Sequence, residues 1–100
     1  MKDKFKGALG LCMRARKCVM GTQAAVGSIK KQKAKLVLLS DDAAQGTHDE
    51  ITTLCSKFGV QLKIGALKDI YYDLTGKQNL KVIAVEDDSF ADMMKKIGYL

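Results

Sequence analysis

Apolar residues recur at i, i+3, i+4 and i+7 in four stretches: Phe5-Ala8-Leu9-Cys12, Ile51-Leu54-Cys55-Phe58, Leu67-Ile70-Tyr71-Leu74 and Phe90-Met93-Met94-Ile97. This spacing lays each set on one face of a helix and leaves the other faces polar. A fifth helix is predicted from Thr22 to about Gln32, with Ala25 and Ile29 inward and Lys30 and Lys31 outward. Between the helices lie short runs of strand character: Cys18 to Met20, Lys35 to Ser40, Val60 to Ile64 with Val60, Leu62 and Ile64 alternating, and Leu80 to Val85. The order is α-β-α-β-α-β-α-β-α, which predicts an α/β sandwich with helices on both faces of a mostly parallel or mixed sheet. Leu36-Val37-Leu38-Leu39 is apolar throughout and predicts a central strand. Thr47-x-x-Glu50 has the form of a capping box, Gly59 and Gly76 stand at helix ends, and Asp87 or Asp88 can cap the last helix.

With 100 residues, 47% of them hydrophobic, and no linker or repeat, the chain reads as a single domain from residue 1 to residue 100. It has no Trp or Pro, so the core must come from Leu, Ile, Val, Met and Ala. The longest apolar runs fall far short of the roughly 20 residues of a membrane helix. The basic start at Lys2, Lys4 and Lys6 is not followed by the apolar region and cleavage site of a signal peptide, so a cytoplasmic protein is expected. Cys12, Cys18 and Cys55 form no Cys-x-x-Cys pair. They read as reduced packing thiols whose burial raises their pKa, and neither a disulfide framework nor a metal site is expected.

The net charge of +6 is unevenly placed. Residues 1–35 carry +9 and residues 36–100 carry −3, which predicts one basic face aimed at a polyanion, with nucleic acid the leading candidate. Gly21 stands between a strand and a helix, where free backbone N–H groups and the positive end of the helix dipole meet. Arg14, Arg16 and Lys17 precede it, and Lys30, Lys31, Lys33 and Lys35 follow. Such a helix start can hold phosphates; the plainer alternative is a solvated basic helix end.

Other reactive residues form no catalytic set. His48 falls in the first turns of a helix with no motif supplying a nucleophile or an orienting carboxylate. Asp41-Asp42 follow the central strand, where ligands of open sheets often bind, but satisfying loop amides and helix N–H groups explains them more simply. Glu86-Asp87-Asp88 fit the cap of the last helix. No Gly-x-Gly-x-x-Gly or P-loop sequence is present, so no nucleotide cofactor is expected. Tyr71, Tyr72 and Tyr99 could stack on bases, but Tyr71 belongs to an apolar set and Tyr72 is expected at the surface, so no aromatic platform like that of a single-strand binder is expected.

The segments Leu9-Gly10-Leu11-Cys12-Met13-Arg14-Ala15-Arg16-Lys17-Cys18-Val19-Met20-Gly21 and Ala34-Lys35-Leu36-Val37-Leu38-Leu39-Ser40-Asp41-Asp42-Ala43 carry a resemblance. Thr53-Leu54-Cys55 and Lys81-Val82-Ile83-Ala84-Val85 extend it. In order and spacing the chain resembles the ribosomal L7Ae/L30e superfamily of kink-turn RNA-binding proteins, in its small bacterial YlxQ-like branch. The resemblance implies a three-layer α-β-α sandwich with a four-stranded mixed sheet. It also implies that the second helix enters the RNA groove by its start, where the family has Gly-x-Asn-Glu and a following Lys. Gly21 matches the glycine, Gln23 stands at the Asn position, Ala24 at the Glu position and Gly27 at the Lys position. The loop that covers a flipped-out nucleotide corresponds to Gly65-Ala66-Leu67-Lys68. Because Ala24 and Gly27 lack the polar groups, contacts are expected mainly between phosphates and backbone N–H groups, Thr22 and the lysines.

The expectation is therefore a non-enzymatic protein that binds structured RNA, either ribosomal RNA, the ribosome or a kink-turn-like RNA. Its expected site is Arg16, Lys17, Gly21, Thr22, Gln23, Lys30, Lys31, Lys33 and the Gly65–Lys68 loop. The alternative is a protein-interaction module on the same fold, using Ala66-Leu67 or the Tyr72 face. No signature of an oligomeric state is visible.

Overall fold

Leu36, Val37, Leu38 and Leu39 are all fully buried, because successive strand side chains point to opposite faces and both faces are covered. A computed structural model describes residues 2–97; Tyr99 lies outside them. The elements are α1 (Lys2–Arg14), β1 (Cys18–Met20), α2 (Thr22–Lys30), β2 (Leu36–Ser40), α3 (Gln45–Phe58), β3 (Gln61–Gly65), α4 (Lys68–Thr75), β4 (Val82–Val85) and α5 (Asp88–Ile97). The strands form one mixed sheet in the order β1-β4-β2-β3. Only β2 and β3 are parallel; β4 runs antiparallel to both β1 and β2, which removes the mostly parallel alternative.

The β2–β4 register aligns Leu36 with Val85 and Leu38 with Ile83 on one face, and Val37 with Ala84 and Leu39 with Val82 on the other. The first set packs under α1, α4 and α5 with Phe5, Leu9, Cys12, Ile70, Tyr71, Ala91 and Met94. The second packs under α2 and α3 with Ala25, Ile29, Ile51 and Cys55. Each Leu or Ile so buried contributes about 1.5–3 kcal/mol. The result is the expected α-β-α sandwich, with β2 and β4 central and the short β1 and the polar β3 at the edges. Ile64 departs from its predicted inward alternation: it lies on edge strand β3 and is 41% exposed, while Leu62 and Val60 pack against the α2–α3 side.

The chain's punctuation acts largely as its residues dictate. Gly59 and Gly76 end α3 and α4 in the left-handed conformation, and Gln32 at φ 61° ends the α2 segment. Asp87 Oδ2 accepts the Phe90 N–H at 2.9 Å, the N-cap of α5. The capping box at Thr47 does not form: α3 begins two residues earlier, at Gln45, behind Ala44 with no side-chain cap. Gln45 Nε2 instead donates to Asp49 Oδ1 one turn on, at 2.7 Å, and Asp42, the nearby carboxylate, is engaged elsewhere.

The thiols are free and mostly buried. Burial pushes the Cys55 thiol up to about 11. Cys12 is raised by its hydrogen bond to Cys18 and by burial. Half-buried Cys18 corrects the expectation of a raised pKa, since the hydrogen bond from Cys12 lowers it against the effect of burial. Tyr71 is the largest fully buried side chain, and its hydroxyl donates to the Leu38 carbonyl at 2.7 Å, tying α4 to the central strand. Replacing Tyr71 with Phe keeps the ring and removes this bond. Denaturant unfolding is expected to show a loss of about 1 kcal/mol, and an unchanged midpoint would show that the bond contributes nothing.

Candidate nucleic-acid interface

Strand direction brings Gly21, at the end of β1, and Gly65, at the end of β3, to the same end of the sheet. Backbone bonds fix both: the Gly21 N–H donates to Val82 O at 2.9 Å and the Asp41 N–H to Gly65 O at 2.8 Å. Three inter-strand steps separate the two loops, roughly 14 Å at the usual strand spacing. Gly21 has φ 101° and ψ 155°, a conformation essentially restricted to glycine, although a Cβ there would meet nothing within 4 Å. It turns the chain from β1 into α2 and offers no side-chain cap. The first α2 N–H groups, from Thr22 to Ala24, therefore face outward without intrahelical acceptors, beside exposed Gln23.

Beside these lies a polar cluster that sequence reasoning missed. Lys81 Nζ donates to Asp42 Oδ2 at 2.6 Å, and the Ser40 hydroxyl donates to Asp42 Oδ1. Asp42 thus binds a lysine and a serine in addition to its own loop amide, and not the helix N–H groups expected. Lys81, and secondarily Ser40, hold its carboxyl below the usual range. Lys81, Lys68, Asp69 and Tyr72 also line an open cavity of about 430 Å³. The only advance signal was the position of Lys81 one residue before a buried strand.

The remaining predicted residues divide. The Glu86 N–H donates to Lys17 O at 2.8 Å and the Lys33 N–H to Ser28 O at 2.9 Å, so Lys17 and Lys33 sit at the opposite end of the sheet from Gly21. Arg16, Lys17, Lys31 and Lys33 are exposed there. A trough of about 350 Å³ on the flank of α2 joins the two ends, lined by Gln23, Ala24, Gly27, Lys31, Lys33 and Glu86. Lys30 does not join this set: it lines a different groove, between α2 and α3, with Asp49 and Glu50. Leu67 is fully buried in the core below its loop, so it supports the loop and cannot touch a ligand; Lys68 is exposed. Glu86 is not a cap either. It accepts the Ser28 hydroxyl at 2.7 Å, and Asp87 alone caps α5.

His48 sits in the first turn of α3 with Nδ1 3.7 Å from Asp49 Oδ1. Among the described residues no group of three or more His, Cys, Asp or Glu could hold a metal ion, and no helix is long and apolar enough to cross a membrane.

A small α-β-α sandwich with an uncapped, glycine-led helix start and basic residues at the far end of that helix is the class of protein these features define. The chain belongs to the ribosomal protein L7Ae/L30e/S12e/Gadd45 family, whose profile matches residues 3–89. It is 36% identical over 86 residues to the RNA-binding protein YlxQ of Bacillus subtilis (strain 168), covering 86% of each chain. It is 27% identical over 96 residues to the RNA-binding protein YlxQ of Enterococcus faecium, covering 96% of this chain and 92% of that one. Among solved structures, a protein of unknown function from Bacillus halodurans C superposes with a TM-score of 0.86 at 26% identity, over 94% of this chain and 95% of that one. The Giardia lamblia 15.5kD RNA binding protein shares the fold, with a TM-score of 0.73 at 16% identity, over 96% of this chain and 82% of that one.

Three variants test these local arguments. Gly21→Ala forces a Cβ into a glycine-only conformation and is expected to cost about 1–3 kcal/mol in denaturant unfolding. Gly27→Ala lies in a helix with open space around the new Cβ and is expected to stabilise by about 0.5–1 kcal/mol. Asp42 has a lowered folded pKa, so its contribution is present above its ordinary value of 3.8 and is lost as pH falls below that through the folded value. Asp42→Asn should therefore flatten the acid limb of a melting-temperature profile below pH 3.8; an unaltered limb would refute the coupling.

Proposed function

We propose that this chain is a non-enzymatic, cytoplasmic protein that binds structured RNA, ribosomal or kink-turn-like, as one domain. The supporting observation is the start of α2. Its outward N–H groups share one end of the sheet with the Gly65–Lys68 loop, so one folded RNA can meet both. The relatives named as RNA-binding proteins YlxQ favour RNA over other polyanions. Gly21, Thr22, Gln23, Gly65, Ala66 and Lys68 form the primary contact, and Arg16, Lys17, Lys31 and Lys33 extend it by phosphate contacts. Lys30 faces the acidic edge of α3 and is left out of the contact.

The second reading is a protein-interaction surface, favoured by Tyr72, which is 48% exposed beside Lys68, Asp69 and Lys81. Titration of a kink-turn RNA at several salt concentrations separates the two. Lys31→Glu combined with Lys33→Glu should weaken binding at least tenfold and lower the slope of log K against log salt by about 1–2, whereas Lys30→Glu should change little. Wild-type protein that binds no structured RNA, but retains a stoichiometric protein partner after nuclease treatment, would overturn the RNA reading.

A further inference from the structure

The trough beside α2 holds a carboxylate among cations, an arrangement that a plain phosphate seat would avoid. Glu86 is held from two directions: its backbone N–H donates to Lys17 O at 2.8 Å, and its Oε2 accepts the hydroxyl of Ser28 at 2.7 Å. Ser28 is only 5% exposed, so this bond fixes the carboxylate against the trough wall. The lysine–carboxylate ion pairs among the described residues are Lys6–Asp73 and Lys81–Asp42, which leaves Glu86 uncommitted to a lysine. A carboxylate offers about four lone-pair positions, and Ser28 occupies one. Lys31 and Lys33 line the same trough.

A ligand that suits this set carries negative charge for the lysines and adjacent N–H donors for the carboxylate. A nucleotide has both, and the bases differ in how they meet Glu86. Guanine presents two neighbouring N–H donors, N1–H and the N2 amino group, on its Watson–Crick edge. Adenine and cytosine place a ring acceptor beside their amino group, and uracil flanks its one N–H with two carbonyls, so each sets a lone pair against the carboxylate. The edge is free only in an unpaired nucleotide, the form in which RNA sequence is usually read. Gly27 supplies the room: a Cβ there would meet nothing within 4 Å, so packing does not require glycine, and its absence leaves the trough floor open to a planar ring. The volume of about 350 Å³ lies at the lower end of small-ligand sites, roughly 300–1,000 Å³.

We infer that the trough seats an unpaired guanine, with Glu86 accepting from its Watson–Crick edge and Lys31 and Lys33 holding the adjoining phosphates. This inference rests on the RNA-binding reading above and assigns Glu86 as a specificity-determining residue. The test uses the full chain and four heptamer RNAs, uridines with G, A, C or U at the centre. Wild-type protein should bind the guanine heptamer about tenfold more tightly than the others, the usual value of a two-point base contact. Glu86→Gln should abolish that preference and shift it toward adenine, which an amide can pair with bidentately. Gly27→Leu, which puts a bulky side chain on the trough floor from a Cβ position that meets nothing within 4 Å, should also remove it while the circular dichroism spectrum stays that of the folded wild type. Lys31→Ala with Lys33→Ala should weaken all four heptamers alike. Equal binding of the four by wild-type protein, binding of none, or a guanine preference that survives Glu86→Gln would overturn the inference. If a kink-turn or ribosomal RNA still binds in those cases, the RNA-binding reading stands; if no structured RNA binds, both fall.

Discussion

The β2–β4 pair is the constraint on which the rest of the molecule depends. Its antiparallel register sends four matched apolar positions alternately to two faces, so a single ladder specifies two separate cores. Slipping it by one residue would exchange the faces of every side chain in β2 and uncover both layers at once. Because the register is fixed, the strand ends are fixed as well. The backbone bonds from Gly21 to Val82 and from Ser40 to Lys81 anchor the loops at one end, and those from Lys35 to Val85 and from Glu86 to Lys17 anchor the other. The proposed RNA contact therefore rests on loops held by a buried scaffold, in keeping with the general division between packing and binding residues.

Electrostatics then distributes the work. The strongly basic first third of the chain does not make one uniform patch, because α1, β1 and α2 present different faces. Lysines adjacent in sequence separate in space: Lys30 meets Asp49 and Glu50 of α3, while Lys31 turns toward the β1 side with Lys33. At the Gly21 end the helix start supplies partial positive charge through unpaired N–H groups, and Lys81 is largely neutralised by Asp42. The proposed contact thus joins backbone dipoles at one end to exposed basic side chains at the other.

Much of the fold was legible because helix and strand periodicities differ and the core residues obey them strictly. The four amphipathic sets and the apolar run of β2 contain local information enough to place themselves. Ile64 misled because alternation gives a face and cannot say whether a neighbouring strand covers it. Thr47 misled because the helix N-terminus is set two residues upstream of it, at Gln45 behind the extended Ala44, so Thr47 lies inside the first turn. Glu86 and Lys81 were unreadable as site residues for a different reason: their partners, Ser28 and Asp42, lie 58 and 39 positions away. Charge counts located the basic segment, but only the fold could divide its lysines.

In the proposed mode of binding, RNA meets the outward amides of the α2 start and the Gly65–Lys68 loop together. The most direct measurement is backbone amide NMR of the isotopically labelled chain during titration with a kink-turn RNA. The largest shifts are expected at Thr22, Gln23 and Ala24 and in the Gly65–Lys68 loop, with smaller ones at Lys31 and Lys33. Shifts confined to α1 and α5, with Thr22 to Ala24 unmoved, would contradict it.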